Sequence, residues 1–352
     1  MNLQSGVKRS AGMVRDPECE RVTRAVVRSW RELAGGPDAR DGERPTLVAC
    51  SGGADSSALA VTLSRVRRAT VVIGHVVHDM RSAPESLRDR DAVRELAGRL
   101  GRPFVEASVG VRELAGNAEG NARALRYRAL ARLAAAHGCR YVATGHQSDD
   151  LLEKVLMLLL RGTGVRGLSG IAPSRPLGSK VTLIRPMLVA TREDSEGVCA
   201  GAGVAWCDDA TNRDESRMRG ALRSRVTPVL RELSPSVRAR VRATAEVLRD
   251  ADELISLHAR SLVNAASRSD GGVRFERARL RGVHPAVLAE VLRRLAAELG
   301  RGRGGDRIGQ AALKRVRDAV HDASTRPREF VLGGAAVRIT AREVTLGREV
   351  RA

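Results

Sequence analysis

The sequence predicts an α/β protein, in which a domain built on a parallel sheet is followed by a mainly helical domain that ends in a β-hairpin. Between residues 45 and 161, short runs of β-branched and small apolar residues alternate with longer segments of helical periodicity, a pattern typical of crossover units and a parallel sheet. After residue 211 the chain becomes Arg-rich with helical periodicity. Residues 330–346 form apolar runs around Gly333-Gly334, which favours a terminal hairpin.

Each predicted element follows from its local pattern. Strands are expected where short apolar runs end at polar or glycine-containing turns, at 45–50, 70–78, 103–109, 140–146 and 181–185. Helices are expected where apolar residues recur three and four positions apart, at 17–34, 55–68, 85–100, 121–137, 148–161, 213–264 with a stop at Ser234-Pro235, 286–300 and 309–322. The predicted domains are an N-terminal extension and helix at 1–44, a parallel-sheet domain at 45–215 and a basic helical domain at 216–352.

The charge of the chain indicates a polyanionic partner. The 352 residues include 61 Lys and Arg against 41 Asp and Glu, a net charge of +20. Residues 215–352 carry 29 basic and 16 acidic residues, a net charge of +13. An excess of this size favours nucleic acid as the partner. Aromatic residues are only 2% of the chain. Aliphatic side chains must therefore fill the cores, and few aromatic side chains are available to stack on bases.

The cysteines and the apolar runs indicate the cellular compartment in which the protein is expected. None of the five cysteines forms a C-x-x-C pair, which disfavours a zinc ribbon or a redox dithiol and fits a reducing cytosol. The longest aliphatic run, Val155–Leu160, is far too short to cross a bilayer. The basic N-terminus has no apolar segment like that of a signal peptide. We therefore expect a cytoplasmic protein with no membrane partner, and a homodimer is compatible with the sequence.

The stretch SGGADS, residues 51–56, lies between the first predicted strand and helix. In a parallel sheet, ligands bind at the carboxyl ends of strands, and glycine amides at a helix N-terminus suit phosphate. A tight turn is the alternative. The Lys of a Walker A loop is absent, and Asp55 beside phosphates requires a bridging cation, which implies Mg²⁺. The string matches the SGGxDS signature of the PP-loop ATP pyrophosphatases, which split ATP between its α- and β-phosphates.

Polar residues also follow the second and fourth predicted strands. His75, His78 and Arg81 end the second strand and could reach ATP or an anionic substrate, although a lone histidine here is more often structural. The fourth strand ends at Gly145-His146, and a helix follows.

That helix carries three acids in its first turns, Asp149, Asp150 and Glu153. Their i, i+3 and i, i+4 spacing lets them converge, and acids here also suit the helix dipole. We predict metal binding by Asp150 together with Asp55.

Three groups of basic residues are candidates for substrate binding. Arg123 and Arg126 share a helical face next to Tyr127, a face suited to phosphate or simply to solvent. Arg161 opens the segment RGTGVRGLSG, which fits G-x-G-x-x-G but follows a helix rather than a strand, so the dinucleotide-binding interpretation fails. The last group marks the domain junction and contains Arg217, Arg219 and Arg223.

Taken in order, the motifs resemble one PP-loop family, tRNA(Ile)-lysidine synthetase. The resemblance covers about residues 45–230. It rests on SGGADS, HVVHDMR (75–81), GNAEGNARALRY (116–127), ATGHQSDDLLEK (143–154), RGTGVRGLSG (161–170), LIRPML (183–188), WCDDATN (206–212) and RGALR (219–223). The fold implied is that of an adenine nucleotide α-hydrolase-like domain.

The resemblance implies that ATP adenylates carbon 2 of the wobble cytidine in tRNA(Ile) with a CAU anticodon, and that L-lysine then displaces AMP. Catalysis is assigned to Asp55, Asp150, Arg123 and Glu153. ATP binding is assigned to Ser51, Gly52, Gly53, Ala54, Asp55, Ser56, His75, His78, Gly145 and His146, and Mg²⁺ to Asp55 and Asp150. Contacts with tRNA are assigned to Arg81, Arg126, Tyr127, Arg161, Arg217, Arg219 and Arg223.

Departures from the family pattern and competing functions limit this assignment. Four positions depart from the family pattern: the usual Asp is Val77, the usual Gly is Asp79, the usual Thr or Ser is Lys154, and the usual Asn is Gly220. We therefore assign no role to Val77, Lys154 or Gly220. A tRNA thiolase on the same loop would need a persulfide cysteine or an iron–sulfur cluster. A small-molecule amide ligase fits the +20 charge poorly, and a non-catalytic nucleotide-binding RNA protein would not need Asp55 and Asp150.

Overall fold

The computed structural model describes residues 17–79, 83–110, 118–207, 218–269, 271–300 and 308–348. The chain divides into two compact units, which end and begin at Glu246 and Val247. The first unit contains a six-stranded sheet in the order β3-β2-β1-β4-β6-β5. Its strands are β1 (Thr46–Ala49), β2 (Val71–His78), β3 (Phe104–Val109), β4 (Tyr141–Thr144), β5 (Ser174–Pro176) and β6 (Thr182–Ile184).

Helices flank this sheet on both faces. They are α1 (Pro17–Leu33), α2 (Ala54–Ser64), α3 (Ala83–Arg99), α4 (Ala118–Ala136), α5 (Ser148–Leu160), α6 (Val165–Leu168) and α7 (Arg192–Gly201), with 3₁₀ turns at Asp41–Glu43 and Pro186–Val189. Alternation along the strands fills two cores. Val48 packs into the core shared with α1, α2, α3 and α7, whereas its neighbour Leu47 packs into the core beneath α4.

The strand order places a topological switch between β1 and β4. The chain runs from β1 outward through β2 to β3, then returns to the other side of β1 to form β4. Both pairings with β1 are parallel, and Val48 lies opposite Ile73 on one side and Ala143 on the other. The two strands therefore end at the same edge with their following loops diverging, which is where ligands bind in open α/β sheets.

Arg44 fastens α1 to the sheet. Its guanidinium donates to the carbonyl of Arg31 in the last turn of α1, to that of Ala34 directly after the helix, and to those of Gly36 and Ala39 in the loop that follows. The residue is 1% exposed. The side chain thus satisfies carbonyls that a helix terminus leaves without intrahelical partners.

The rest of the first unit is helical. Its helices are α8 (Met218–Ala221), a π-helical turn (Leu222–Val226), α9 (Thr227–Leu233) and the start of α10 (Val237–Asn264), inside which the division between the units falls.

The second unit packs helices on an antiparallel sheet in the order β7-β8-β11-β10-β9. Its helices are α11 (Arg277–Arg281), α12 (Pro285–Leu299) and α13 (Gln310–His321), and its strands β7 (Ser267–Ser269), β8 (Gly272–Glu276), β9 (Arg328–Leu332), β10 (Ala335–Ile339) and β11 (Glu343–Arg348). Buried Arg277 donates to the carbonyls of Ala319, Val320 and Thr340, so it joins the end of α13 to the sheet.

The predicted fold class is confirmed, and its strands and long helices lie within a few residues of their predicted bounds. The hairpin at Gly333-Gly334 is confirmed, but it belongs to a five-stranded sheet whose other strands were not predicted. The predicted domain junction at 215/216 lies outside the described residues, whereas the compact units divide at 246/247. In the described ranges, no helix is both long and apolar enough to cross a membrane.

We predict that Arg44→Met lowers the free energy of unfolding by about 3 kcal/mol, because buried carbonyls lose their donors. Urea denaturation of the full chain measures this. Arg24→Met is the matched control on the exposed face of α1 and is expected to change stability by less than about 0.5 kcal/mol. Equal effects of the two substitutions would contradict the role of Arg44.

Candidate active site

The loop after β1 is shaped by glycine and held by one serine. Gly52 has φ +90°, a conformation that other residues rarely adopt. The Ser56 hydroxyl accepts from Ser51 N at 3.0 Å and donates to Gly53 O at 3.0 Å. Gly53 occupies the N-cap position of α2 and provides no side-chain cap. The first turn of α2 thus presents backbone N–H groups and a positive dipole end, a ready site for phosphate.

Gly145 lets the end of β4 approach this turn. A Cβ atom on Gly145 would lie 2.8 Å from Asp55 C and Ser56 N, and 2.9 Å from Asp55 O. Any side chain would therefore push the backbone of β4 away from α2. The close approach explains why a glycine is needed at position 145, and its role in nucleotide binding stays a prediction.

A cleft of about 380 Å³ opens at this edge of the sheet. Three groups of residues line it: the loop and α2 start (Ser51, Gly53, Ala54, Asp55, Ser56), the end of β2 (Gly74, His75, Val76, Val77) and a far wall (Arg123, Arg126, His146, Asp150, Arg192, Arg219). These residues come from segments that are distant in sequence and meet at the edge of the sheet where the topological switch lies.

Asp55 and Asp150 both line the cleft, and the pKa values of both carboxyl groups are raised. Burial, together with the Asp150 carboxylate, raises the pKa of Asp55 to about 7, although Ser195, Arg192 and Arg223 oppose the shift. Burial also raises the pKa of Asp150, while Arg219 opposes it. The negative charge of Asp150 therefore disfavours ionisation of Asp55 unless a cation or a proton intervenes.

The described residues fit a divalent cation at this pair in one further respect. Asp55 Oδ1 is buried and has no hydrogen-bond partner within the described ranges, so it is available as a ligand. In the same ranges no group of three or more His, Cys, Asp or Glu residues is arranged to hold a metal ion. Asp55 and Asp150 would therefore supply only part of the oxygen coordination of a cation held here.

Glu153 is buried between two arginines. It accepts from Arg219 Nε at 2.6 Å and from Arg223 Nε at 2.6 Å, and it is 1% exposed. Arg219 also binds Asp150, whereas Asp149 pairs with Arg238 at 2.5 Å instead. The three acids of α5 therefore do not converge on one point as expected. Glu153 positions Arg219 and Arg223, and of the three only Asp150 lines the cleft.

His75 and His146 have different surroundings. His75 is buried, and its Nδ1 donates to Cys50 O at 2.9 Å, which ties β2 to the loop while the ring lines the cleft. His146 lies 2.9 Å from Thr144 Oγ1 through Nδ1, and Arg123 lies 3.5 Å from its Nε2. Burial and the neighbouring arginines hold the pKa of His146 well below its usual value. The ring is neutral, with Nε2 accepting from Arg123.

The remaining predicted residues fall into three groups. Arg126 lines the cleft, and Tyr127 is buried behind it. Arg161 ends α5 in an exposed position away from the cleft walls. Arg81, Arg217 and the side chain of His78 lie outside the described residues.

Sequence reasoning missed Arg192, which begins α7 and lines the cleft. The signal was Thr191-x-x-Asp194, a capping box that the structure forms and that predicts a helix start. Helix α7 packs against α2, and Cys199 on it donates to Ala54 O at 3.4 Å. No local pattern indicated that Arg192 would meet the loop after β1.

Comparison with known proteins agrees with this geometry. A family model described as a PP-loop domain matches residues 23–230. A tRNA(Ile)-lysidine synthase of Salinispora arenicola is 38% identical over 81% of this chain and 83% of its own length. One of Streptomyces coelicolor is 37% identical over 72% of each chain.

Among solved structures, the U34-tRNA thiolase NcsA of Methanococcus maripaludis aligns with a TM-score of 0.53 at 18% identity, over 65% of this chain and 80% of that one. At that identity the likeness shows the fold alone. The family match and the curated relatives show more. The chain belongs to the tRNA(Ile)-lysidine synthase family of PP-loop enzymes, ligases that use ATP.

Proposed function

We propose that this chain joins L-lysine to the wobble cytidine of tRNA(Ile) with a CAU anticodon, through an adenylated RNA intermediate and with release of AMP and pyrophosphate. Its relatives carry the name of this activity. The observation that carries the proposal is the cleft at the β1/β4 switch, where the uncapped start of α2 meets Asp55 and Asp150. The net charge of +20 suits an RNA substrate.

The loop after β1 would bind the phosphates of ATP. The backbone N–H groups of Ala54, Asp55 and Ser56 would stabilise negative charge there as the bond between the α- and β-phosphates breaks. Adenylation would convert the oxygen on carbon 2 of the cytosine into part of a phosphate leaving group. The lysine ε-amine could then displace AMP.

Asp55 and Asp150 would hold Mg²⁺, since their mutual repulsion and the unpartnered Asp55 Oδ1 both favour a bound cation. The ion would neutralise phosphate charge. Glu153 would keep Arg219 and Arg223 pointed towards the cleft from the side of α5. Arg123 and Arg126 would contribute positive charge from the far wall of the cleft.

The direct test is incubation of the full chain with ATP, Mg²⁺, radiolabelled L-lysine and the tRNA(Ile) transcript with a CAU anticodon. We expect lysine incorporation, and we expect Asp55→Asn to reduce it at least about 100-fold while RNA binding persists. Asp91→Asn, on the exposed face of α3, should retain activity. No incorporation of lysine by folded wild-type protein that binds ATP would exclude the proposal.

Asp55 also has a predicted effect on stability. Its pKa is about 7 in the folded protein and near 3.8 when unfolded, so stability that is present below pH 4 is lost as the pH rises to 7. In protein free of metal and ATP, Asp55→Asn should therefore raise the melting temperature at pH 8 and have little effect at pH 4. Melting curves of both proteins between pH 4 and pH 8 test this prediction. A difference in melting temperature between Asp55→Asn and wild type that shrinks as the pH rises would refute it.

Gly145→Ala should weaken ATP binding at least about tenfold, because its Cβ would displace the first turn of α2. Calorimetric titration with a non-hydrolysable ATP analogue measures this. Gly178→Ala is the matched control, since a Cβ there meets nothing within 4 Å. Unchanged affinity in Gly145→Ala would show that the close approach is dispensable.

A further inference from the structure

Four arginines surround Tyr127 on the far wall of the cleft. The guanidinium carbons of Arg123, Arg126 and Arg175 lie 5.1, 5.6 and 4.8 Å from the centre of the Tyr127 ring. Arg185 follows β6, and its charge acts on both Tyr127 and His146. The cluster joins α4 to the antiparallel edge of the sheet, because Arg175 belongs to β5.

No carboxylate in the described part of the chain neutralises this cluster. The contacts of its members are with neutral groups: Arg123 with the Tyr127 hydroxyl at 3.1 Å, Arg175 with Pro176 O at 3.2 Å and Arg185 with Ala172 O. This contrasts with Arg219 and Arg223, which share Glu153. Four positive charges around one aromatic ring therefore repel one another unless an anion binds.

Arg185 shows that the cluster is built rather than accidental. It is 4% exposed, and its Nε is buried without a hydrogen-bond partner among the described residues. Burial lowers the pKa of both Arg185 and Arg126. A buried guanidinium with an unused donor is costly, and an oxyanion is the ligand that guanidinium donors recognise.

The cluster also leads from solvent into the cleft. Arg123 and Arg175 are exposed, whereas Arg126 and Arg123 both line the cleft beside His146. His146 follows Gly145, whose backbone approaches the first turn of α2. An extended polyanion could therefore pass from Arg175 to the phosphate-binding loop.

We propose that Arg123, Arg126 and Arg175 bind phosphodiester groups of the RNA that enters the cleft, that buried Arg185 adds positive charge behind them, and that Arg175 is the outermost of these contacts. The inference rests on the proposed function. A single amino-acid carboxylate would leave most of the charge unneutralised, whereas consecutive phosphates of one RNA strand match it. Tyr127 holds the guanidinium planes in place through its ring.

Arg175→Gln tests the proposal, with Arg140→Gln as its matched control. Arg140 is likewise exposed and stacks on a buried tyrosine, Tyr141, at 5.8 Å, but it lies at the amino end of β4, away from the cleft. Binding of the tRNA(Ile) transcript to the full chain is measured between 50 and 200 mM salt. Arg175→Gln should weaken binding roughly tenfold at the lowest salt and reduce the slope of log K against log salt by about one.

Three outcomes overturn the inference. Arg175→Gln and Arg140→Gln could have the same salt slope as wild type, or both could lower it equally. Alternatively, Arg175→Gln could raise the KM for L-lysine without affecting RNA binding, which would assign the cluster to the amino-acid carboxylate. Failure of the proposed function is distinguishable, because wild-type protein would then bind the transcript with a measurable slope yet incorporate no lysine.

Discussion

The close approach of two backbones, at Gly145 and at the first turn of α2, is the constraint on which the candidate site depends. A single methyl group at Gly145 would lie under 3 Å from Asp55 and Ser56. Because nothing larger than hydrogen fits, the ends of β1 and β4 can bring Asp55, His146 and Asp150 to one cleft. The parallel register of β1 with both of its neighbours keeps these strand ends level. The geometry of the site therefore depends directly on the geometry of the sheet.

Electrostatics divides the cleft into two parts with opposite requirements. Around Asp55 and Asp150, burial raises the pKa values of both carboxyl groups, so a bound cation would stabilise their charged forms. Around Tyr127, the exposed Arg123 and Arg175 and the buried Arg185 have no acidic partners in the described ranges, and this excess of positive charge favours a bound anion. Glu153 lies between the two and holds Arg219, which also reaches Asp150. The folded chain compensates these charges only in part, as Arg219 does for Asp150, and ligands of opposite charge would complement both parts.

The elements that sequence reasoning found are those with strong local patterns. Residues 71–78 and 141–144 are apolar strands that end at polar turns, and Thr182–Ile184 lies within the predicted run. The missed strands Ser174–Pro176 and Ser267–Ser269 are exposed and have no apolar alternation, because edge strands are stabilised by pairing with a neighbour rather than by burial. Strand β11 was merged with β10, since the turn at 340–342 is closed by the Thr340 side chain rather than by a glycine pair.

The sequence by itself determined the fold class, the glycine-containing loop between β1 and α2 and the family, because each depends on residues that are close together in the chain. The tertiary structure decided which of the charged residues act together. Asp149 and Glu153 carry spacing as favourable as that of Asp150, yet they pair with Arg238 and with Arg219 and Arg223. Likewise Arg175 belongs to no motif, and neither LIRPML nor the capping box at Thr191 indicated which residues Arg185 and Arg192 would meet. Ion pairs and anion sites form between segments distant in sequence, and only packing of the sheet and its helices fixes those distances.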